Sequence, residues 1–244
     1  MAVAARHTRF LLNQFDFSGD SNSLSVNLTV APLQSTGFQA TAETYVAGLN
    51  TSGISQSGHY SGKGAGLIEQ EINALLGTAT PVYVAALFGT NVAACPAHVT
   101  AQTWGQQVTI DMPVDNLITI ASEWPASGGF IRGLRLTSVA TQTVSGIGAL
   151  ASVDFGAQGV AGGFGYIFTQ TLTGGASPVI DIESSATEGG VYVSEGTATP
   201  AAVGVTAVTL TGTVDRWVRL NVTSMGTASS FVIVGIVGLL GVSY

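Results

Sequence analysis

Apolar residues in this chain recur in short runs, each closed by Gly, Asn, Asp or Pro, at a spacing of about ten residues. Strands joined by tight turns satisfy that punctuation, whereas an amphipathic helix needs a longer uninterrupted period to show one apolar stripe. The pattern predicts strands at 8–12, 24–30, 43–47, 82–88, 107–112, 117–122 and 131–139, then at 164–172, 179–182, 191–193, 205–210, 216–222 and 231–237. Alternation is explicit in Leu24-Ser25-Val26-Asn27-Leu28-Thr29-Val30, which reads as a half-buried strand with its apolar residues on one face. The ten-residue apolar run at 231–240 is too short to span a bilayer as a helix and is broken by Gly235 and Gly238, so it reads as a buried strand.

One segment has a different period. Leu67 or Ile68, Ile72, Leu75 and Leu76 share a helical stripe ended by Gly77, with Glu69 and Glu71 in the first turns where the helix dipole favours anions. The expected fold class is therefore all-β, with two β-sandwich-like (jelly-roll-like) lobes and one short α-helix near residues 66–76. A Gly/Ala/Ser-rich run at 141–163 suggests the junction, giving an N-terminal lobe at 1–145 with an assembly arm and the helix, and a C-terminal lobe at 146–244.

Charge is what this chain lacks. Seven Lys and Arg with fourteen Asp and Glu make 9% of 244 residues, against about 25% in an average domain, while 46% of residues are hydrophobic and mean hydropathy is +0.44. An exterior so poorly charged is expected to be covered by other subunits. The net charge of −7 and the absence of a cationic stripe argue against specific nucleic-acid binding, although DNA can pass or lie beside a like-charged wall. Cys95 has no cysteine to pair with and reads as a small buried hydrophobe, which suits a reducing cytoplasm. The N-terminus carries Arg6 and Arg9 without a following apolar stretch, so no signal peptide is expected, and the sequons at Asn27, Asn50 and Asn221 are expected to be chance.

Chemistry-bearing motifs are sparse. His7, His59 and His98 lack metal-ligand spacing, 53–58 (Gly-Ile-Ser-Gln-Ser-Gly) has one residue too many for a nucleophile elbow, and 161–165 (Ala-Gly-Gly-Phe-Gly) lacks the Lys of a phosphate loop. Asp16, Asp20 and Asn22 near Gly19 could suggest a Ca²⁺ loop, but no Glu closes it, and a hairpin or turn is the preferred reading. Paired carboxylates occur at Asp111/Asp115, Asp181/Glu183 and Glu69/Glu71; Asp181 and Glu183 at i, i+2 share a strand face and are expected to be exposed edge or loop charges rather than a catalytic pair. No catalytic, metal or cofactor residue is expected. Two arginine pairs stand out: Arg132 with Arg135, and Arg216 with Arg219. Their spacing of three puts each member on a different strand face, so each needs its own partner, a carboxylate of another subunit or one of its own chain. Arg6, Arg9, Arg132, Arg135, Arg216 and Arg219 are the candidate inter-subunit contacts.

The turn 13–19 (Asn-Gln-Phe-Asp-Phe-Ser-Gly), the strand 24–30, the stretch 35–49 ending Thr-Tyr-Val-Ala-Gly-Leu and the strand closing on Ser-Gly at 54–58 together resemble a family of tailed-bacteriophage virion proteins. Segments 163–172 and 212–222, with Arg216 and Arg219 in the second, resemble the C-terminal half of the same group. This chain departs from the family pattern at Ala47, where Pro is usual, and at 35–39, which lacks an acidic turn end. The resemblance implies a non-enzymatic virion component, assembled in the host cytoplasm, that binds itself and other virion proteins and no membrane. Tail tube subunit is the first expectation and capsid decoration or cement protein the second. A carbohydrate-binding β-sandwich is the third, carried by Tyr166, Tyr192 and Trp217. The polar arm 1–7 is expected to reach a neighbouring subunit.

Overall fold

The computed structural model describes residues 8–34, 45–61, 66–78, 80, 82–89, 93–127, 130–137, 140–143, 151–175 and 177–242. The arm 1–7, with Arg6 and His7, and the turn 35–44 of the family resemblance lie outside them. The first strands are β1 (Arg9–Leu12), β2 (Phe15–Asp16), β3 (Ser21–Gln34) and β4 (Tyr45–His59), followed by helix α1 (Ile68–Leu75). Next come β5 (Val82–Leu87), β6 (Pro96–Thr103), β7 (Gln107–Asp111), β8 (Thr119–Pro125), β9 (Phe130–Arg135), β10 (Ala140–Gln142) and β11 (Val153–Asp154). The last are β12 (Gly163–Thr173), β13 (Val179–Ser185), β14 (Val193–Ala198), β15 (Gly204–Leu210), β16 (Trp217–Ser224) and β17 (Ser230–Leu239). Among the described residues the fold is all-β with one short helix.

Two compact units form, and they interleave along the chain instead of meeting at one cut near residue 145. Unit 1 is Met1–Gly19, Tyr83–Val99 and Ile131–Tyr244; unit 2 is Asp20–Val82 and Thr100–Phe130. Pairing explains why a cut at 145 does not separate them: β9 and β10, both before that point, pair antiparallel with β17.

Unit 1 is a sandwich. A nine-stranded sheet with the order β15-β12-β17-β9-β6-β5-β1-β2, with β10 also on β17, belongs mainly to this unit, beside a four-stranded sheet β11-β16-β13-β14. Their inner faces share one core, to which Ile167 and Val237 come from the larger sheet and Ile182 and Leu220 from the smaller. The apolar C-terminal run is β17, a central strand buried along almost its whole length. Gly165 and Gly235 set the spacing between the layers. A Cβ on Gly165 would lie 2.2 Å from Ile182 Cδ1, and one on Gly235 2.4 Å from Leu220 Cδ1, so each aliphatic side chain seats over a position with no side chain.

Unit 2 holds the four-stranded sheet β3-β4-β8-β7 together with α1. Ile68 and Ile72 of the expected stripe are fully buried and Leu75 and Leu76 partly so. Leu76 bridges to Gly105, where a Cβ would meet both Leu76 and the Trp124 ring at 3.2 Å. The sheet's buried face carries a polar chain that the apolar periodicity did not announce. The Trp124 indole donates to Ser122 Oγ (2.9 Å), the Ser122 hydroxyl to Gln56 Oε1 (3.2 Å), and the Gln56 amide to Ser21 Oγ (3.1 Å). With Gln56 only 2% exposed, these bonds tie β8, β4 and β3 into one register.

Two strand expectations are corrected and one strand is added. The segment 191–193 is a strand only at its last residue, since β14 starts at Val193 and continues to Ala198 through a Gly and a Glu that masked it. Strand β6 was not predicted, because Pro96 and His98 hid a buried segment. Residues 24–30 are a strand but not a half-buried one: Leu28 is 57% and Val30 50% exposed.

Replacing Gly165 by Ala is expected to destabilise the protein by about 1–3 kcal/mol through overpacking, and shortening Ile182 to Val in the same chain should recover part of that loss. Denaturant unfolding of the two chains checks this; an unperturbed Gly165→Ala chain would contradict the packing described.

Candidate interaction surfaces

Unit 2 presents a long ribbon whose sequence is free of fixed charge. From Ser21 to Gln34 and from Tyr45 to His59 there is no Asp, Glu, Lys or Arg, so all 14 residues of β3 and all 15 of β4 are uncharged apart from a histidine. Strand β4 pairs with β8 only over Gly53–His59, whereas β3 and β4 pair from Ser21↔Gly58 to Gln34↔Tyr45. The distal half is therefore a two-stranded ribbon, a form marginal by itself in water. Register places Leu24, Val26, Leu28 and Val30 on the face shared with buried Ile54 and Trp124, and Ser23, Ser25, Asn27 and Thr29 on the other. Burial of that apolar face fades outward along β3.

Both edges of this sheet are open among the described residues, β3 on one side and β7 on the other. Natural edge strands usually carry a charge, a proline or a bulge to prevent pairing with a second chain. Within β3 no such residue occurs before the irregularity at Val30/Pro32 apart from an irregularity at Ser21/Ser23. Beyond β7 the loop side chains Met112, Val114 and Leu117 are 70%, 99% and 64% exposed.

The arginines have their places in unit 1, Arg6 excepted. Arg9 pairs with Asp16 of its own chain at 2.6 Å, and the Asp16 carboxylate also accepts from the Ser18 backbone N–H (3.1 Å). Residues 18–20, which follow, form the turn into β3, the reading preferred over a Ca²⁺ loop. Arg132 is exposed on β9. Arg135 is 1% exposed and its Nε donates to the Thr137 carbonyl; burial, then the neighbouring Arg9 charge, pulls its pKa down to about 10. A guanidinium so enclosed has no face to offer another subunit. Arg216 grips Asp154 with two bonds of 2.6 Å, from Nε and from Nη2. Arg219 donates to Glu183 at 2.8 Å and lies 3.7 Å above the Tyr192 ring. The own-chain partners thus account for Arg9, Arg216 and Arg219.

Glu183 corrects the expectation of an exposed edge charge. Strand β13 is central in its sheet, and Glu183 is 9% exposed, accepting from Arg219 and from the Asn221 amide at 2.8 Å. The i, i+2 spacing with Asp181 did place both acids on one face, where Asp181 accepts from Thr197 at 2.6 Å. The third platform aromatic goes elsewhere. Tyr166 is 4% exposed against Tyr83, and burial pushes its phenol up to about 12. Of the helix acids, Glu71 accepts from the Gly66 N–H and Glu69 from the Asn73 amide. Cys95 is buried, and His98, its pKa lowered first by burial and then by Arg132, meets Phe88 edge-on. No group of three or more His, Cys, Asp or Glu that could hold a metal ion occurs among the described residues. No helix among them is long and apolar enough to cross a membrane.

No protein-family model matches the chain, and no curated protein matches it. Solved structures do. The SPP1 tail tube, determined by solid-state NMR and cryo-EM, is 8% identical over 54% of this chain and 78% of its own, with a TM-score of 0.42. The SPP1 Dit protein, described as a hub of the adsorption apparatus in phages infecting Gram-positive hosts, is 10% identical over 95% of this chain and 98% of its own, with a TM-score of 0.39. The virion of a gene transfer agent particle contains a chain 7% identical over 50% of this one and 92% of its own, at a TM-score of 0.37.

Removing the Glu183 carboxylate as Glu183→Ala leaves Arg219 and Asn221 without that acceptor, and is expected to cost about 1–3 kcal/mol in denaturant unfolding. The Arg216 bonds, then the Gly156 N–H, hold the Asp154 carboxyl at about 2, below its ordinary 3.8. A depressed folded-state pKa means that this interaction is fully present above 3.8 and is lost as pH falls through about 2. A carboxyl-carbon NMR titration should show Asp154 still ionised at pH 3, and Arg216→Gln should move its midpoint up toward the ordinary value.

Proposed function

We propose that this chain is a non-enzymatic, self-assembling structural protein of a tailed-phage virion, a tail tube subunit, whose copies join through the open edges of the β3-β4-β8-β7 sheet. The observation that carries this reading is the uncharged ribbon β3–β4, whose open edge carries no fixed charge and runs without a proline or bulge from Ser23 to Val30. A strand of 14 residues without a fixed charge offers a row of backbone donors and acceptors that a lone subunit leaves to water. A second copy docking its own edge satisfies them and lengthens the sheet.

Three further observations support it. Leu28 and Val30 are exposed on the ribbon in the isolated chain, and an adjoining subunit would bury them. The scarcity of charge over the whole chain is tolerable when neighbours cover the exterior. The sequence resemblance to virion proteins falls in part on these strands, 24–30 and 54–58. Arg132, exposed on β9, and the arm 1–7 with Arg6 are the further contacts proposed with neighbours. The net charge of −7 suits a wall past which DNA moves without adhering.

The test is a pair of lysines on the polar face of the edge strand, Ser23→Lys with Ser25→Lys. Surface positions of this kind change stability within about ±0.5 kcal/mol, so the monomer should unfold as before while assembly is lost. Sedimentation and negative-stain microscopy of the parent chain should show stacked rings or tubes. Discrete trimers would favour a capsid decoration protein, and undiminished assembly of the lysine variant would remove the edge from the mechanism.

A further inference from the structure

In so uncharged a chain, the outward face of the sheet β11-β16-β13-β14 is unusually polar and organised. Alternate residues of β13 and β16, among them Ile180, Ile182, Val218, Leu220 and Val222, point into the core of unit 1. Their neighbours Asp181, Glu183, Trp217, Arg219 and Asn221 therefore line the other face. Register puts Glu183 opposite Arg219, Asp181 opposite Asn221, and Asp154 opposite Trp217.

Two aromatic rings stand on this face. Trp217 is half-buried on β16, and Tyr192, also half-buried, lies just before β14 with its hydroxyl donating to the Glu188 carbonyl at 2.9 Å. Two strand spacings separate their strands, roughly 10 Å, the span of about two pyranose rings. Between them the Arg219 guanidinium is locked by Glu183 and by its stack on Tyr192, and Glu183 also holds the Asn221 amide. Planar donors and acceptors are thus fixed before any ligand arrives, which lowers the ordering cost of binding.

We propose that this face binds a neutral oligosaccharide. Sugar rings present an apolar C–H side that stacks on aromatic rings and a rim of hydroxyls that pair with side chains able both to donate and to accept. Charge selects the class of ligand. The carboxylates of Asp154 and Glu183 already pair with Arg216 and Arg219 on this face, and Asp181 accepts from the Thr197 hydroxyl. A nucleic acid or other polyanion finds no unpaired cation in this cluster, whereas hydroxyls can share the remaining lone pairs of the carboxylates. The proposal does not rest on the virion reading and uses a different sheet.

The full chain is screened on an array carrying neutral, sialylated and sulfated oligosaccharides, and neutral glycans are expected to be retained. The best array glycan is then titrated by NMR, where the Trp217 indole N–H and the Asn221 amide should shift together. Tyr192→Ala and Trp217→Ala should each weaken binding at least tenfold; if Trp217→Ala unfolds, the milder Trp217→Leu and the shift map of the parent chain decide. The β3 lysine variant should bind as the parent does, so the two proposals fail separately. An array with no neutral glycan bound, retention of anionic glycans alone, shifts confined to other residues, or aromatic variants that bind undiminished would each overturn the proposal. So would loss of self-association in Tyr192→Ala without any glycan binding, which would make the face a subunit contact.

Discussion

Backbone pairing between strands is the interaction on which this molecule depends. With 9% of its residues charged, the chain has few side chains with which to make ion pairs or discourage association, so strand edges and apolar faces govern what it does. Where the edges are internal, as for β17 between β12 and β9, the result is a buried and close-packed layer. Where they are open, as for β3 and β7, the same chemistry is available to a second chain.

Charge is correspondingly concentrated where it is used. Asp154 with Arg216, and Glu183 with Arg219 and Asn221, lie on one face of one small sheet. Partly exposed pairs contribute little to stability one at a time, but a linked set fixes side-chain geometry. The long ribbon of unit 2 has the opposite character: no fixed charge, Ser and Thr on one face, and apolar side chains increasingly exposed along the other. One chain therefore carries two surfaces with different chemistry, one suited to strand addition and one to a polar ligand.

Much of the all-β architecture was legible because apolar runs and their Gly, Asn and Asp boundaries report strands directly. The helix was legible because Ile68, Ile72, Leu75 and Leu76 repeat at helical period, and β17 because ten apolar residues interrupted by glycine suit a central strand. Strand β6 was not legible, since Pro96 and His98 break the pattern while Ala97, Val99 and Ala101 supply only small apolar groups. Gln56 was not either: a lone amide in a Ser/Gly-rich strand looks solvated until Ser122 and Ser21 are brought to it.

Local periodicity by itself determined strand content, the helix and the pairing of Asp181 with Glu183 on one face, because these depend on spacing within a few residues. Partner choice was decided only by tertiary structure. The arginines could be read as needing carboxylates, but Asp154 lies 62 positions from Arg216 and Glu183 lies 36 from Arg219, and only sheet register brings them within 3 Å. Burial followed the same rule, leaving Leu28 exposed while enclosing Arg135, because which face of a strand is covered depends on what another part of the chain lays against it.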